Sequence, residues 1–247
     1  MALSATVTVC EFHDGDLAGN WQRLAEHVAS EFSQIVVLPE MPFASWLPRL
    51  PNFKNRAWDA AVDAHDRWER RLHDLAPALV AATRPVDFGN ERYNQGFIWT
   101  ESGGARAVHA KSWLNNQDGC WERFWYQSAP APDFEPFQVG DLTLGFLIGA
   151  ELAAYDEAER YGREGVQLLV SPRSTPVPNV EAWLAVAQSA ARRAGAMLLT
   201  SSGAGQGPGW IIDPRGELLA STSHAQPFVS RRVELPAKSF AATEVVG

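Results

Sequence analysis

Three charged side chains and one glycine in this chain stand where their types and surroundings allow chemistry. Glu40 closes the segment VVLPE, with Pro42, Phe43 and Trp46 just behind it. A carboxylate beside an apolar pocket is pushed toward protonation, which suits a general base. Lys111 lies in AVHAKSWL among small and apolar residues. An ammonium in such a setting must find a counter-charge or face a deep site, where it can stabilise an oxyanion. Glu122, in the aromatic segment GCWERFWY, is placed to orient such a lysine or a base. Gly149 follows the apolar run LTLGFLI and precedes the acid-rich stretch ELAAYDEAERYGREG. A tight strand-to-helix turn of this kind holds one side chain at a helix N-terminus, where free amides favour developing negative charge. Glycine there supplies room and backbone N–H groups but no nucleophile.

Taken singly, each charged residue has an ordinary alternative. Glu40 can be an acid on a sheet rim, Lys111 an outward-facing lysine whose stem covers the surface, and Glu122 a solvated loop acid.

The elements that must position these residues alternate between strand and helix periods. Thr6–Phe12 alternates as a strand, and Asn20–Phe32 places Trp21, Leu24, Val28 and Phe32 at helical spacing. Ile35–Leu38 is a short β-branched strand. A long helical pattern is expected from about Asp59 to Ala82, broken or kinked at Pro77. Tyr93–Thr100 and Ala105–Trp113 form a hairpin across Glu101–Gly104. Leu142–Ile148 and Val166–Val170 are buried strands, and Asn179 caps a helix running to about Ala194, with Gly195 as its stop. Met197–Ser202, Trp210–Asp213, Leu218–Thr222 and Phe228–Leu235 complete the strands. No fixed short repeat and no linker interrupts the chain, so a single domain over residues 1–247 is expected.

Composition excludes several classes. With 247 residues, 46% of them hydrophobic, the chain can bury a large core. A net charge of −8, with no long Lys/Arg run, argues against a nucleic-acid surface. The apolar runs fall far short of the roughly 20 residues of a membrane span. MALSATVTVC lacks the pattern of a signal peptide, and two cysteines fit a reduced cytoplasmic protein better than a stapled secreted one. The six histidines show no metal-ligand spacing, and Gly203–Gly209 lacks the glycine spacing and following helix of a phosphate cradle, so neither metal nor cofactor is expected.

The order VVLPE, AVHAKSWL, GCWERFWY, LGFLIGAEL, LLVSPRST resembles the nitrilase, or carbon–nitrogen hydrolase, superfamily, and the resemblance runs from Thr6 to about Leu235. It implies an α/β fold of four layers, an α-β-β-α sandwich, and pairing into homodimers. It also implies hydrolysis of nitriles, amides or carbamoyl groups through a thioacyl intermediate on a cysteine. By the same resemblance Glu40 matches the general base, Lys111 the residue that stabilises the tetrahedral intermediate, and Glu122 the second acid that positions it. The nucleophile position falls on Gly149. Ala150 follows, its backbone N–H placed to help form an oxyanion site.

No other residue is an obvious replacement. Cys120 is the most plausible thiol, but attack from its loop needs a different geometry. Cys10 fits a buried core position, and Ser112, Ser171 and Ser174 have no histidine partner placed by motif. His109 shares a strand face with Lys111, so it either lines the pocket or packs. Phe43 and Trp113 can shape an apolar substrate pocket, although core packing accounts for at least half of the aromatics near the site. Arg173 is placed to pair with a substrate carboxylate, or with a structural partner. Three functional expectations remain open: a hydrolase changed at residue 149, a pseudoenzyme binding a small nitrogenous ligand or a partner, and a thiol-free acid–base enzyme using Glu40 and Lys111.

Overall fold

The structure is a computed structural model that describes residues 3–12, 15–130, 134–174, 180–203 and 205–237. In the first half, β1 (Ser4–Cys10), α1 (Leu17–Ser30), β2 (Ile35–Val37), α2 (Asn55–Glu69), β3 (Leu79–Phe88), β4 (Glu91–Thr100) and β5 (Gly104–Ala110) follow in order. A one-turn helix, α3 (Glu122–Trp125), leads to β6 (Phe137–Val139), β7 (Leu142–Phe146), α4 (Tyr155–Arg163), β8 (Leu168–Arg173) and α5 (Val180–Ala194). The chain then finishes with β9 (Met197–Ser202), β10 (Trp210–Ile212), β11 (Leu218–Ser221) and β12 (Phe228–Glu234).

Two six-stranded sheets result, ordered β12-β1-β2-β3-β4-β5 and β11-β10-β9-β8-β7-β6. Each is built on a parallel triplet, β1-β2-β3 in one and β7-β8-β9 in the other, extended by antiparallel neighbours. Parallel strands buried on both faces are nearly all apolar, as IVV of β2 and, Thr143 excepted, LTLGF of β7 are. The sheets face each other across a shared core in which Val7, Val37 and Ala81 meet Phe146, Val170 and Leu199. Burying each large aliphatic or aromatic side chain of this kind contributes about 1.5–3 kcal/mol. On the outer faces, Trp21, Leu24 and Leu72 pack on the first sheet, and Tyr161, Ala187 and Ala191 pack on the second. This is a four-layer α-β-β-α sandwich.

The sheets are also joined by polar contacts. Ser201 Oγ accepts from the Cys10 backbone N–H at 2.8 Å and donates to the Val37 carbonyl at 2.5 Å, tying the ends of β1 and β2 to β9.

Several sequence expectations need correction. The helix expected to reach Ala82 stops at Glu69, a 3-10 segment spans Arg70–Leu75, and Leu79–Ala82 opens β3, paired with β2. A short apolar run buried on both faces has no period that separates strand from helix, so LVAA is ambiguous until it finds a neighbour. Phe32 is not on the buried face of α1: the helix ends at Ser30, and Phe32 is 83% exposed. β5 stops at Ala110, one residue before Lys111, and β6 carried no sequence signal. The cap expected at Asn179 lies outside the described residues.

Candidate active site

The charged residues singled out from sequence come together where strands of both sheets end. Glu40 lies three residues beyond β2, Lys111 directly after β5, and Gly149 three residues beyond β7. β3 and β5 flank β4, each antiparallel to it, so β5 points the same way as the parallel triplet and delivers Lys111 to the same rim as Glu40. Glu122 opens α3, whose Trp125, with Tyr126 just after it, is buried in a side cluster with Met41 and Trp58. Two backbone-directed bonds hold that segment: Trp121 N–H to the Pro48 carbonyl at 2.7 Å and Trp125 Nε1 to the Leu50 carbonyl at 2.8 Å.

Lys111 Nζ donates to Glu40 Oε1 at 2.7 Å and to Glu122 Oε1 at 2.5 Å, with all three side chains fully buried. Asn94 Nδ2 donates to the same Glu40 oxygen at 2.6 Å, the Ser174 backbone N–H donates to Glu40 Oε2 at 3.1 Å, and the Asn115 N–H donates to Glu122 Oε2 at 2.8 Å. One cation bridging two anions leaves a net negative buried cluster, and the electrostatics follow from that. Burial raises the Glu40 carboxyl to about 7, assisted by Glu122 and opposed by Lys111 and the Ser174 N–H. For Lys111, burial alone would favour the neutral amine, but Glu122 and Glu40 outweigh it and hold the ammonium charged.

A third acid, Glu151, was not anticipated as part of this arrangement. Its Oε1 accepts from the Ser112 N–H at 2.6 Å, and its Oε2 accepts from the Ile148 N–H and faces His109 Nε2, both at 2.8 Å. Burial raises its proton affinity, yet His109 and these amides win, and its pKa falls below the usual carboxylate value. The carboxylate therefore ties the 3-10 turn Gly149–Ala153 to the strand end that carries Lys111. Gly149 itself has φ of 57°, in the left-handed region that favours glycine. Ala150 follows it in the same turn. His109 is a packed residue, its ring 5.0 Å from that of Phe134.

Neither thiol is poised to replace a nucleophile. Burial pushes both Cys10 and Cys120 up to about 12, with Glu122 adding to the effect on Cys120. Among the described residues, no cluster of His, Cys, Asp and Glu could hold a metal ion.

A cavity of about 340 Å³ opens beside Glu40, lined also by Phe43, Trp46, Arg49, Ser174 and Gln206. Phe43 is largely packed, stacked on Trp68 at 5.8 Å, and presents only part of its ring. Trp113 is 46% exposed and does not line this cavity. Arg173 does not line it either: its guanidinium donates to the Gln206 and Pro208 carbonyls at 2.9 and 2.5 Å and lies over the Trp210 ring. Arg173 thus clamps the loop that carries Gln206. Sequence reasoning also missed Asn94 and the Ser174 backbone N–H, Ser174 having been weighed only for its hydroxyl, since an isolated amide or backbone N–H leaves no pattern.

The carbon-nitrogen hydrolase family model matches residues 5–230. The chain belongs to that family. Among solved structures, a carbon-nitrogen hydrolase from Helicobacter pylori G27 superposes with a TM-score of 0.78 at 14% identity, covering 94% of this chain and 90% of that one. An amidase from Nesterenkonia sp. gives 0.75 at 15% identity, covering 93% and 90%. A further structure of the Nesterenkonia amidase, with acrylamide added at its active-site cysteine, gives 0.72 at 16% identity, covering 95% and 93%. No curated protein matches the chain in sequence. Membership in the carbon-nitrogen hydrolase family accounts for the paired sheets and for the shared rim at which the charged cluster sits. Among the described residues of this family member, no helix is long and apolar enough to cross a membrane.

Proposed function

We propose that this carbon-nitrogen hydrolase family protein, a single domain over residues 1–247, binds a small amide, nitrile or related nitrogenous compound without thiol-dependent turnover. In this reading Glu40 borders the site, and the fully buried Lys111 and Glu122 hold it from behind. Gly149 occupies the nucleophile position, with the Ala150 amide beside it. The observation that carries the reading is the buried Glu40–Lys111–Glu122 bridge combined with the absence of a poised sulfur, both cysteines being raised to about 12. A covalent mechanism that loses its nucleophile typically drops by several orders of magnitude, because the remaining groups only orient water. A second reading has support in Glu40, whose carboxyl at about 7 suits a general base acting on water or an amine. Cytoplasmic residence accords with two free cysteines. Assembly as a homodimer is carried over from the family resemblance.

Gly149→Cys tests both readings by ammonia release across a panel of amides, nitriles and carbamoyl compounds. Turnover in the Cys form alone is the expected result. Equal turnover by both forms would transfer the case to the thiol-free reading. No binding and no turnover in either would end the proposal.

A further inference from the structure

Asn94, fully buried on β4, holds both partners of the central ion pair. Its Nδ2 donates to Glu40 Oε1 at 2.6 Å, and its carbonyl accepts the Lys111 N–H at 2.9 Å. The second bond continues the β4–β5 register, in which Gln95 pairs with Ala110, so Asn94 and Lys111 stand directly opposite and their side chains leave the sheet on one face. A bulge produces that alignment. Gly96 pairs with His109 but Phe97 with Ala107, which leaves Val108 as the extra residue. In the register set by Phe97 and Ala107, Ala110 would stand opposite Asn94 and Lys111 would fall on the other face.

The donors that reach Glu40 are unevenly shared. Oε1 receives two, Lys111 Nζ at 2.7 Å and Asn94 Nδ2 at 2.6 Å, while Oε2 receives one, the Ser174 N–H at 3.1 Å. A carboxylate oxygen has two lone pairs, so Oε1 is filled and Oε2 keeps one free. The same contact sets the orientation of the amide: turned over, Asn94 Oδ1 would face Oε1, acceptor against acceptor. That orientation carries a cost, because it leaves Oδ1 buried with no hydrogen-bond partner. We propose that Asn94 is a positioning residue for Glu40, its amide filling Oε1 beside Lys111 and so leaving Oε2 as the oxygen that gains and loses the proton. This rests on the thiol-free reading, in which Glu40 is a general base, and names the atom through which that base acts.

Carboxyl-carbon NMR of the intact protein with isotopically labelled glutamate reads the Glu40 titration, its signal assigned by loss in Glu40→Gln. The parent midpoint is expected at about 7. Asn94→Leu keeps the approximate shape and removes the donor, which disfavours the carboxylate, so the midpoint should rise by about one unit. Asn94→Asp replaces the donor by an acceptor and should raise it further. A purely structural role would lower the melting temperature of Asn94→Leu and leave the midpoint in place, and a midpoint unmoved in both variants overturns the proposal. Neutron diffraction of the parent, crystallised from heavy water at about pH 5, needs no variant. A deuteron on Oε2, with the Asn94 amide deuterons turned toward Oε1, is the expected result; a deuteron on Oε1 overturns the assignment. A parent midpoint at the ordinary carboxylate value, with the response to Asn94→Leu intact, would end the general-base reading and keep the positioning role.

Discussion

Glu151 Oε1 accepts the backbone N–H of Ser112 at 2.6 Å, and through that bond the turn bearing Gly149 is fastened to the strand end bearing Lys111. The two segments come from different sheets, so the carboxylate acts as a cross-sheet bolt at the rim where the site forms. Its four contacts, to the Ser112, Trp113 and Ile148 amides and to His109, leave little of the anion unsatisfied.

Replacing Glu151 with Ala should therefore be severe. The substitution removes the buried carboxylate that faces His109 and accepts from three amides, and breaking such an arrangement costs about 3–5 kcal/mol. Urea denaturation of the variant is expected to show a midpoint far below that of the parent. A change under about 1 kcal/mol would mean the turn is held by something else.

Glu151 and Glu40 should impose opposite pH slopes on stability. The Glu151 pKa is lowered on folding, so its contribution is present above its unfolded value near 4.5 and is lost as pH falls through the folded value. Glu40 is raised from 4.5 to about 7, so the folded state holds the extra proton between these values and stability declines as pH rises across that window. Thermal melts from about pH 3 to about pH 8 should peak near the lower end of the Glu40 window. Glu40→Gln should flatten the decline above the peak, which amounts to roughly 1–3 kcal/mol. A decline unchanged by Glu40→Gln would assign it to another group.

Alkylation should separate the parent from Gly149→Cys. Cys10 and Cys120 are buried and raised to about 12, so native protein at neutral pH should take up iodoacetamide only on unfolding. The introduced thiol starts the 3-10 turn Gly149–Ala153 at a position that is also buried, so labelling of the native variant would show that the reagent reaches this position where it does not reach Cys10 or Cys120. It also places a side chain at φ of 57°, a conformation costing a non-glycine residue about 1–2 kcal/mol. Mass spectrometry of the native alkylated variant, with a denaturation curve beside it, reads both effects.

Phe32 offers a stabilising change far from the site. The Ser33 N–H reaches the Val28 carbonyl at 3.0 Å and the Phe32 N–H reaches Ala29 at 3.3 Å, the hydrogen-bond pair of a Schellman ending on α1. The left-handed position of that ending is usually glycine, yet here it is Phe32, at φ of 53° and 83% exposed. Phe32→Gly should raise stability by about 1 kcal/mol, visible as a higher melting temperature with unaltered ligand binding. A lower melting temperature would show that the exposed ring makes a contact worth more than the strain.

The alternation of strand and helix and the continuous apolar runs of β2, β7 and β8 were legible in the sequence, because a strand buried on both faces leaves few polar residues to write. The places of Glu40, Lys111 and Gly149 at or just past strand ends were legible too, since side chains that cannot be buried cheaply punctuate apolar runs. Identity of type at each position was determined there: two acids, a lysine and a glycine where a thiol would be expected. Tertiary structure alone decided that Lys111 bridges Glu40 and Glu122, that Glu151 and Asn94 belong to the same arrangement, that Arg173 clamps a loop, and that Leu79–Ala82 is strand rather than helix. Each of these depends on partners eleven or more residues distant in the chain. A carboxylate's protonation, an amide's orientation and an apolar run's conformation take their energies from neighbours that only packing supplies.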